Sequence, residues 1–105
     1  MARPKVYISG KMRGLDEKES RRIFKEAQKR LERKGFDTVN PWETEDLKKQ
    51  QCKDWGDFII YDLQILKQCD AIYLISNWTE SMGAQCERAF AIGQGLQVIY
   101  GTAAT

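Results

Sequence analysis

The sequence contains no histidine. That absence removes the commonest general base, the Ser-His and Cys-His nucleophile pairs and most zinc sites. Catalysis, if there is any, must run on carboxylates, Lys, Tyr, Ser or Cys. Cysteine is scarce as well: Cys52, Cys69 and Cys86 are odd in number, and no pair has C-x-x-C spacing. This excludes a disulfide framework or zinc knuckle and leaves free buried thiols in a reducing cytoplasm as the expectation. With only 2 prolines and 8 glycines in 105 residues, the chain is neither collagen-like nor of low complexity, and 42% hydrophobic content is too high for a disordered tail. No apolar run approaches the roughly 20 residues of a membrane span. The start, Met1-Ala2-Arg3-Pro4-Lys5, leads directly into a predicted strand, so no signal peptide is expected.

Charge of one sign is also lacking. The 17 basic and 15 acidic residues leave +2, too little to indicate a nucleic-acid binder. Basic residues are in excess in the first half and acidic ones in the second. Most of the early excess falls between Lys11 and Lys34, interleaved with Asp16, Glu17, Glu19, Glu26 and Glu32. This pattern describes a solvated helix face with mixed ion pairs, not a nucleic-acid footprint.

What is present reads as one domain over residues 1–105, since half this length would not sustain a second core. Four short β-branched or aromatic runs predict strands at Lys5–Ser9, 36–40, 71–76 and Gln97–Tyr100. Between them lie segments of helical period. Asp16 with Glu19 three residues on predicts a capped start. Ile23, Phe24, Ala27 and Leu31 form its apolar stripe, and Lys34-Gly35 its stop. A second helix at about 54–68 places Trp55, Phe58, Ile59, Leu63 and Leu66 on one face. A third at about 81–94 carries Met82, Cys86, Ala89, Phe90 and Gly93 inward and stops at Gly95. Strands alternating with helices imply an α/β fold: a three-layer Rossmann-like or flavodoxin-like sandwich around a parallel sheet of about four strands. Ligands in such folds sit beyond the carboxyl ends of the strands. The loops of interest are therefore 10–15, 41–53 and 77–80, together with the start of the third helix.

Three features there carry chemistry. Ser9-Gly10-Lys11-Met12-Arg13-Gly14 joins a strand to a helix with two glycines and two cations. It is either an anion cradle or an ordinary turn with solvated cations, and it matches neither the Walker A nor the dinucleotide-binding pattern. Asp62 falls within an apolar stripe, where a carboxylate is costly unless paired; the alternative is a place on the rim. Ser81 and Gly83 open a helix whose free amides can seat an anion, with Glu87 one turn further in. Glu87 either faces the same pocket as Asp62 or pairs on the surface with Arg88. Two convergent carboxylates without histidine suggest glycosyl chemistry. Tyr7 is either core or a hydroxyl aimed at the pocket. Asn40-Pro41-Trp42 ends a strand at the same edge, where it can meet a base or sugar, and Trp42 and Trp78 are either stacking platforms or packing plugs.

Together, Val6-Tyr7-Ile8-Ser9-Gly10-Lys11-Met12-Arg13-Gly14, Asp62-Leu63-x-x-Leu66-x-Gln68-x-Asp70 and Ser81-x-Gly83-x-x-x-Glu87 resemble the nucleoside 2-deoxyribosyltransferase superfamily. The likeness is strongest to its 2′-deoxynucleoside 5′-monophosphate N-glycosidase branch and to related small bacterial and phage domains. The resemblance implies Glu87 as nucleophile on C1′, Asp62 assisting departure of the base or holding the sugar, and Tyr7 orienting the glutamate or the sugar. It places Arg13, Ser81 and Gly83, with the amides of the Lys11–Met12 turn, around a 5′-phosphate, and Gly10 in the same substrate-binding loop. Asn40 and Trp78 join the substrate-binding set. It also implies a small-molecule nucleotide or nucleoside as partner, no nucleic-acid polymer or membrane, a homodimer, and no metal or organic cofactor. Departures from the family pattern are Lys11 for a smaller residue, Arg88 for an apolar one and Ala89 for a glycine. Relatives also extend further past the last strand, where a neighbouring subunit's residues enter the active site; this sequence has five residues after Tyr100. The rival reading is a non-catalytic nucleotide-binding or sensing module built on the same pocket.

Overall fold

In a computed structural model describing residues 3–102, the chain folds as a four-stranded, all-parallel sheet between helical layers. The chain start at Met1-Ala2 and the end of the tail past Thr102 lie outside the described residues. The elements run β1 (Lys5–Ser9), α1 (Glu17–Arg33), β2 (Asp37–Val39), a 3-10 turn (Pro41–Thr44), α2 (Glu45–Gln51), α3 (Trp55–Leu66), β3 (Ala71–Leu74), a second 3-10 turn (Trp78–Glu80), α4 (Met82–Gln94) and β4 (Gln97–Tyr100). Strand order is β2-β1-β3-β4. The order therefore switches beside β1 and β3, and the carboxyl ends of these two strands border the loops that build the site. This is the expected Rossmann-like or flavodoxin-like layout. No helix among the described residues is long and apolar enough to cross a membrane.

Local signals place the helices where their polar ends are satisfied. The Asp16 side chain accepts from the Glu19 amide at 3.2 Å and caps α1, while Asp54 and Ser81 do the same for α3 and α4. The Glu19 carboxylate turns to Arg22 instead of back to the cap. Gly95 ends α4 in the left-handed region at φ 77°, a conformation that costs glycine nothing.

Alternation along β1 divides the sheet into two faces. Val6 and Ile8 point to the α1 side and meet Phe24, Ala27, Leu31, Ala71, Tyr73 and Ile75. Tyr7 points the other way, with Ile72, Leu74, Leu66 and Ala91.

Several expectations change. Strands β2 and β3 are shorter than the apolar runs that predict them. A seven-residue helix, α2, occupies part of the segment read as a loop at 41–53. The inward face of α4 is rotated from the expected one. Ala84, Glu87 and Ala91 are buried, Cys86 and Phe90 are half-buried, and Met82, Ala89 and Gly93 are exposed. Small alanines let α4 approach the sheet closely, and that phase carries Glu87 inward. Trp55 is exposed, not inward, at the start of α3. Cys52, Cys69 and Cys86 are free, but only Cys69 is buried; burial pushes its thiol up to about 11 and leaves it unreactive.

Candidate active site

A cleft of about 290 Å³ opens where the β1–α1 loop, α2, α3 and the start of α4 meet. Its lining includes Gly10, Lys11, Met12, Arg13, Asp62, Ser81, Gly83 and Glu87. The segments singled out around positions 13, 62 and 81–87 thus converge on one cavity.

Strand geometry explains the floor. Residues two apart on a strand share a face, so Tyr7 and Ser9 project together from β1 toward α4. The Tyr7 hydroxyl donates to Glu87 Oε2 at 2.7 Å, and the Ser9 hydroxyl donates to Glu87 Oε1 at 2.6 Å. Both bonds are buried, so both carboxylate oxygens are fixed in direction. Glu87 is 6% exposed and Asp62 8%. Burial, followed by repulsion from Asp62, pushes the Glu87 carboxyl up to about 7; the Ser9 and Tyr7 hydrogen bonds and the Lys48 charge act against that rise. Burial and the neighbouring carboxylates of Glu87 and Asp62 push the Tyr7 hydroxyl well up, so it remains a donor.

Asp62 is neither on the rim nor alone. Lys48 Nζ donates to its Oδ1 at 3.2 Å, and that lysine is itself 1% exposed. Burial raises the Asp62 carboxyl, and Lys48 pulls it back. An ion pair this deep is costly to form and more costly to break, because either partner alone is a stranded charge. Glu45, one helical turn before Lys48, is equally buried, with Oε1 3.4 Å from Arg13 Nη2. The guanidinium of Arg13 also lies 5.0 Å over the Phe58 ring.

The anion-seat residues border the same space. Gly10 is required by close approach: a Cβ there would stand 2.9 Å from Ile75 Cβ. The Lys11 amide donates to Asn77 Oδ1 at 3.0 Å, which holds the loop against the end of β3. The Lys11 ammonium reaches Glu80 at 3.5 Å. The Ser81 hydroxyl caps α4 by accepting from the Ala84 amide at 3.1 Å. A Cβ on Gly83 would meet Ile59 Cδ1 and Ser81 Oγ at 3.8 Å, ordinary van der Waals contact, so nothing there would clash with a small side chain.

Two residues of the expected binding set do not line this cleft. Asn40 is buried on the α1 side, where its side chain accepts from the Trp42 amide and donates to Gln28. It caps the 3-10 turn that follows β2. Trp78 packs beside Tyr100, ring centroids 6.2 Å apart, with Arg88 5.0 Å over its face. Arg88 also donates to the Tyr100 hydroxyl at 2.8 Å, so it serves packing at the β4 end and leaves Glu87 to the cleft. Trp42 is likewise a plug: 6% exposed, donating to Ser20, and covered by Arg21 at 4.5 Å.

Sequence reasoning missed Ser9, Glu45 and Lys48 as site residues. The period of two along β1 was the available signal for Ser9. No comparable signal marked the other two, because the buried face of α2 is charged.

Taken together, the parallel sheet and a cleft beside the ends of β1 and β3 define an α/β domain of Rossmann-like or flavodoxin-like layout. Residues 4–100 match the family described as Domain of unknown function (DUF4406), and the chain belongs to that family. A comparison with curated proteins found no match.

Proposed function

We propose that this protein cleaves or exchanges the N-glycosidic bond of a (deoxy)nucleoside 5′-monophosphate, with Glu87 as nucleophile. The observation that carries the reading is the buried Glu87 carboxylate, oriented at both oxygens by Tyr7 and Ser9 and set in the same cleft as Asp62. The motif resemblance to nucleoside 2-deoxyribosyltransferases supports the same roles.

A Glu87 oxygen attacks C1′ as the C1′–N bond breaks through an oxocarbenium-like transition state. The electron pair of that bond leaves on the base nitrogen, which takes up a proton from water, while the Asp62 carboxylate stabilises positive charge developing on the sugar. Water or a second base then attacks C1′ and passes its proton to the Asp62 carboxylate, as the bond to Glu87 breaks and its electron pair returns to the carboxylate. Arg13, the hydroxyl of Ser81 and the free amides at the start of α4 hold the phosphate, whose binding energy positions the reacting carbon.

Incubation with a panel of ribo- and deoxyribonucleotides and nucleosides, read by chromatography for free base, tests the reaction. Release is expected from a monophosphate and should fall at least about a thousandfold in Glu87→Gln. Unchanged release in that variant removes the nucleophile assignment. A nucleotide-binding or sensing module is the second reading. It is favoured by the rise of the Glu87 carboxyl to about 7, which leaves much of it protonated at neutrality and suited to hydrogen bonding. Measurable nucleotide affinity without any release selects that reading.

The proposal includes a homodimer. Trp55 and Met82, 52% and 66% exposed, stand on the rim of the cleft, where a second copy would cover them. Sedimentation at micromolar concentration reads this, and a monomer there removes it.

A further inference from the structure

The side chain least accounted for by the chemistry above is Glu45. It is 1% exposed, it borders the cleft, and its Oε2 is the buried side-chain oxygen without a hydrogen-bond partner among the described residues. Native proteins rarely leave such an atom unmatched, because desolvation is not repaid until a donor arrives. Its other oxygen has one cationic neighbour, Arg13, at a long 3.4 Å. The Arg13 side chain is 61% exposed. Lys48, the nearest cation on the same helix, is taken by Asp62. Glu45 is therefore a shielded carboxylate held by a loosely placed, solvent-facing arginine, with an acceptor to spare.

We propose that Glu45 is the base-selecting residue of this cleft, its free oxygen accepting an N–H from an amino-bearing nucleobase while Arg13 turns from Glu45 to the ligand's phosphate. This rests on the nucleotide reading above and deepens it. An ionised carboxylate only accepts hydrogen bonds. Guanine, adenine and cytosine each present an exocyclic amino group. Uracil and thymine instead present carbonyl oxygens on either side of their single ring N–H, and those oxygens face a carboxylate unfavourably. A site built around a buried acceptor rejects ligands that leave it unpaired.

The shared arginine makes the two recognitions interdependent. A ligand with a phosphate but no donating base draws Arg13 away and strands Glu45. A nucleoside without phosphate leaves Arg13 where it is, against the oxygen's neighbour. A ligand with both groups engages both residues, so an amino-bearing monophosphate should bind more tightly than either half alone.

Calorimetric titration of the full chain with the 5′-monophosphates of guanosine, adenosine, cytidine and uridine, in ribo and 2′-deoxy forms, tests this. Wild type is expected to bind at least one amino-bearing monophosphate about tenfold or more tightly than the uracil nucleotide. Glu45→Gln, which keeps the shape and adds a donor, should bring that ratio within about twofold. Equal wild-type affinities for all four bases, or an unchanged ratio in the variant, overturn the assignment but leave the nucleotide reading standing. No affinity for any monophosphate removes both. The wild-type ratios alone decide the first point if Glu45→Gln does not fold.

Discussion

The two faces of the sheet solve different problems. Against α1, β1 presents Val6 and Ile8 to Phe24, Ala27 and Leu31, and the polar groups buried on that side, Ser20, Gln28 and Asn40, are uncharged. Against α3 and α4, the same strand presents Tyr7 and Ser9, and what they meet is a carboxylate. The helices differ accordingly. The exposed side of α1 is laced with ion pairs, Arg21 to Glu17 and Arg22 to both Glu19 and Glu26, each of which contributes little. On the other side the charges are inside: Glu45, Lys48, Asp62 and Glu87 are all buried. One face supplies stability through area removed from water. The other gives up some of that stability to hold charged groups in fixed directions, as functional sites commonly do.

The contrast can be broken at its strongest point by cutting into the dry face. Phe24→Ala, at a fully buried ring, should cost about 3–5 kcal/mol in chemical denaturation. Nucleotide affinity per folded molecule should stay near wild type. A large affinity loss in protein that remains folded would mean that the two faces are not independent.

A smaller effect reads the polar face through pH. The Glu87 carboxyl is raised from its ordinary 4.5 to about 7, chiefly by burial, so the folded chain binds that proton more tightly than the unfolded one. Its contribution to stability is complete below about 4.5 and is lost as pH rises through about 7. The loss amounts to roughly 3 kcal/mol. Asp62 is raised too and acts in the same direction. Unfolding free energies measured from pH 4.5 to 8 should therefore fall more steeply in wild type than in Glu87→Gln. Parallel curves for the two proteins would show that Glu87 is not the group responsible.

The smallest effect sharpens the division within the cleft itself. Arg13→Ala should weaken binding of a nucleoside monophosphate by about tenfold, the loss expected for one charged hydrogen bond, while nucleoside affinity changes little. Calorimetry with matched ligands reads the difference. Equal losses for both ligands would remove Arg13 from the phosphate seat.

Legibility in the sequence follows the same division. Strands β1 and β4 were readable to the residue, and α1 nearly so, because apolar periodicity and caps such as Asp16 are local signals. Segment 41–53 read as a loop because α2 turns Glu45 and Lys48 inward and leaves Leu47 46% exposed. A hydrophobic pattern cannot reveal a helix whose buried face is charged. The α4 stripe differs in phase for a related reason: its inward face includes the charged Glu87, so an apolar period points instead to Met82, Ala89 and Gly93, which are exposed. The carboxylates at 62 and 87 were legible because their positions break an apolar pattern or follow a helix start. Asn40 and Trp78 were drawn into the site by their nearness to strand ends, but each is used to cap or pack its own turn.

The sequence by itself determined the alternation of strand and helix, and hence a parallel sheet with its loops at one edge, since these depend on interactions between residues a few positions apart. It also determined which chemistry was available, since a chain without histidine must rely on its carboxylates. Only the tertiary structure decided that Lys48 answers Asp62, that Tyr7 and Ser9 share Glu87, and that Glu45 is left with a spare oxygen. Those pairings join residues far apart in the chain across a shielded space, where the cost of an unmatched charge depends on neighbours that no local pattern records.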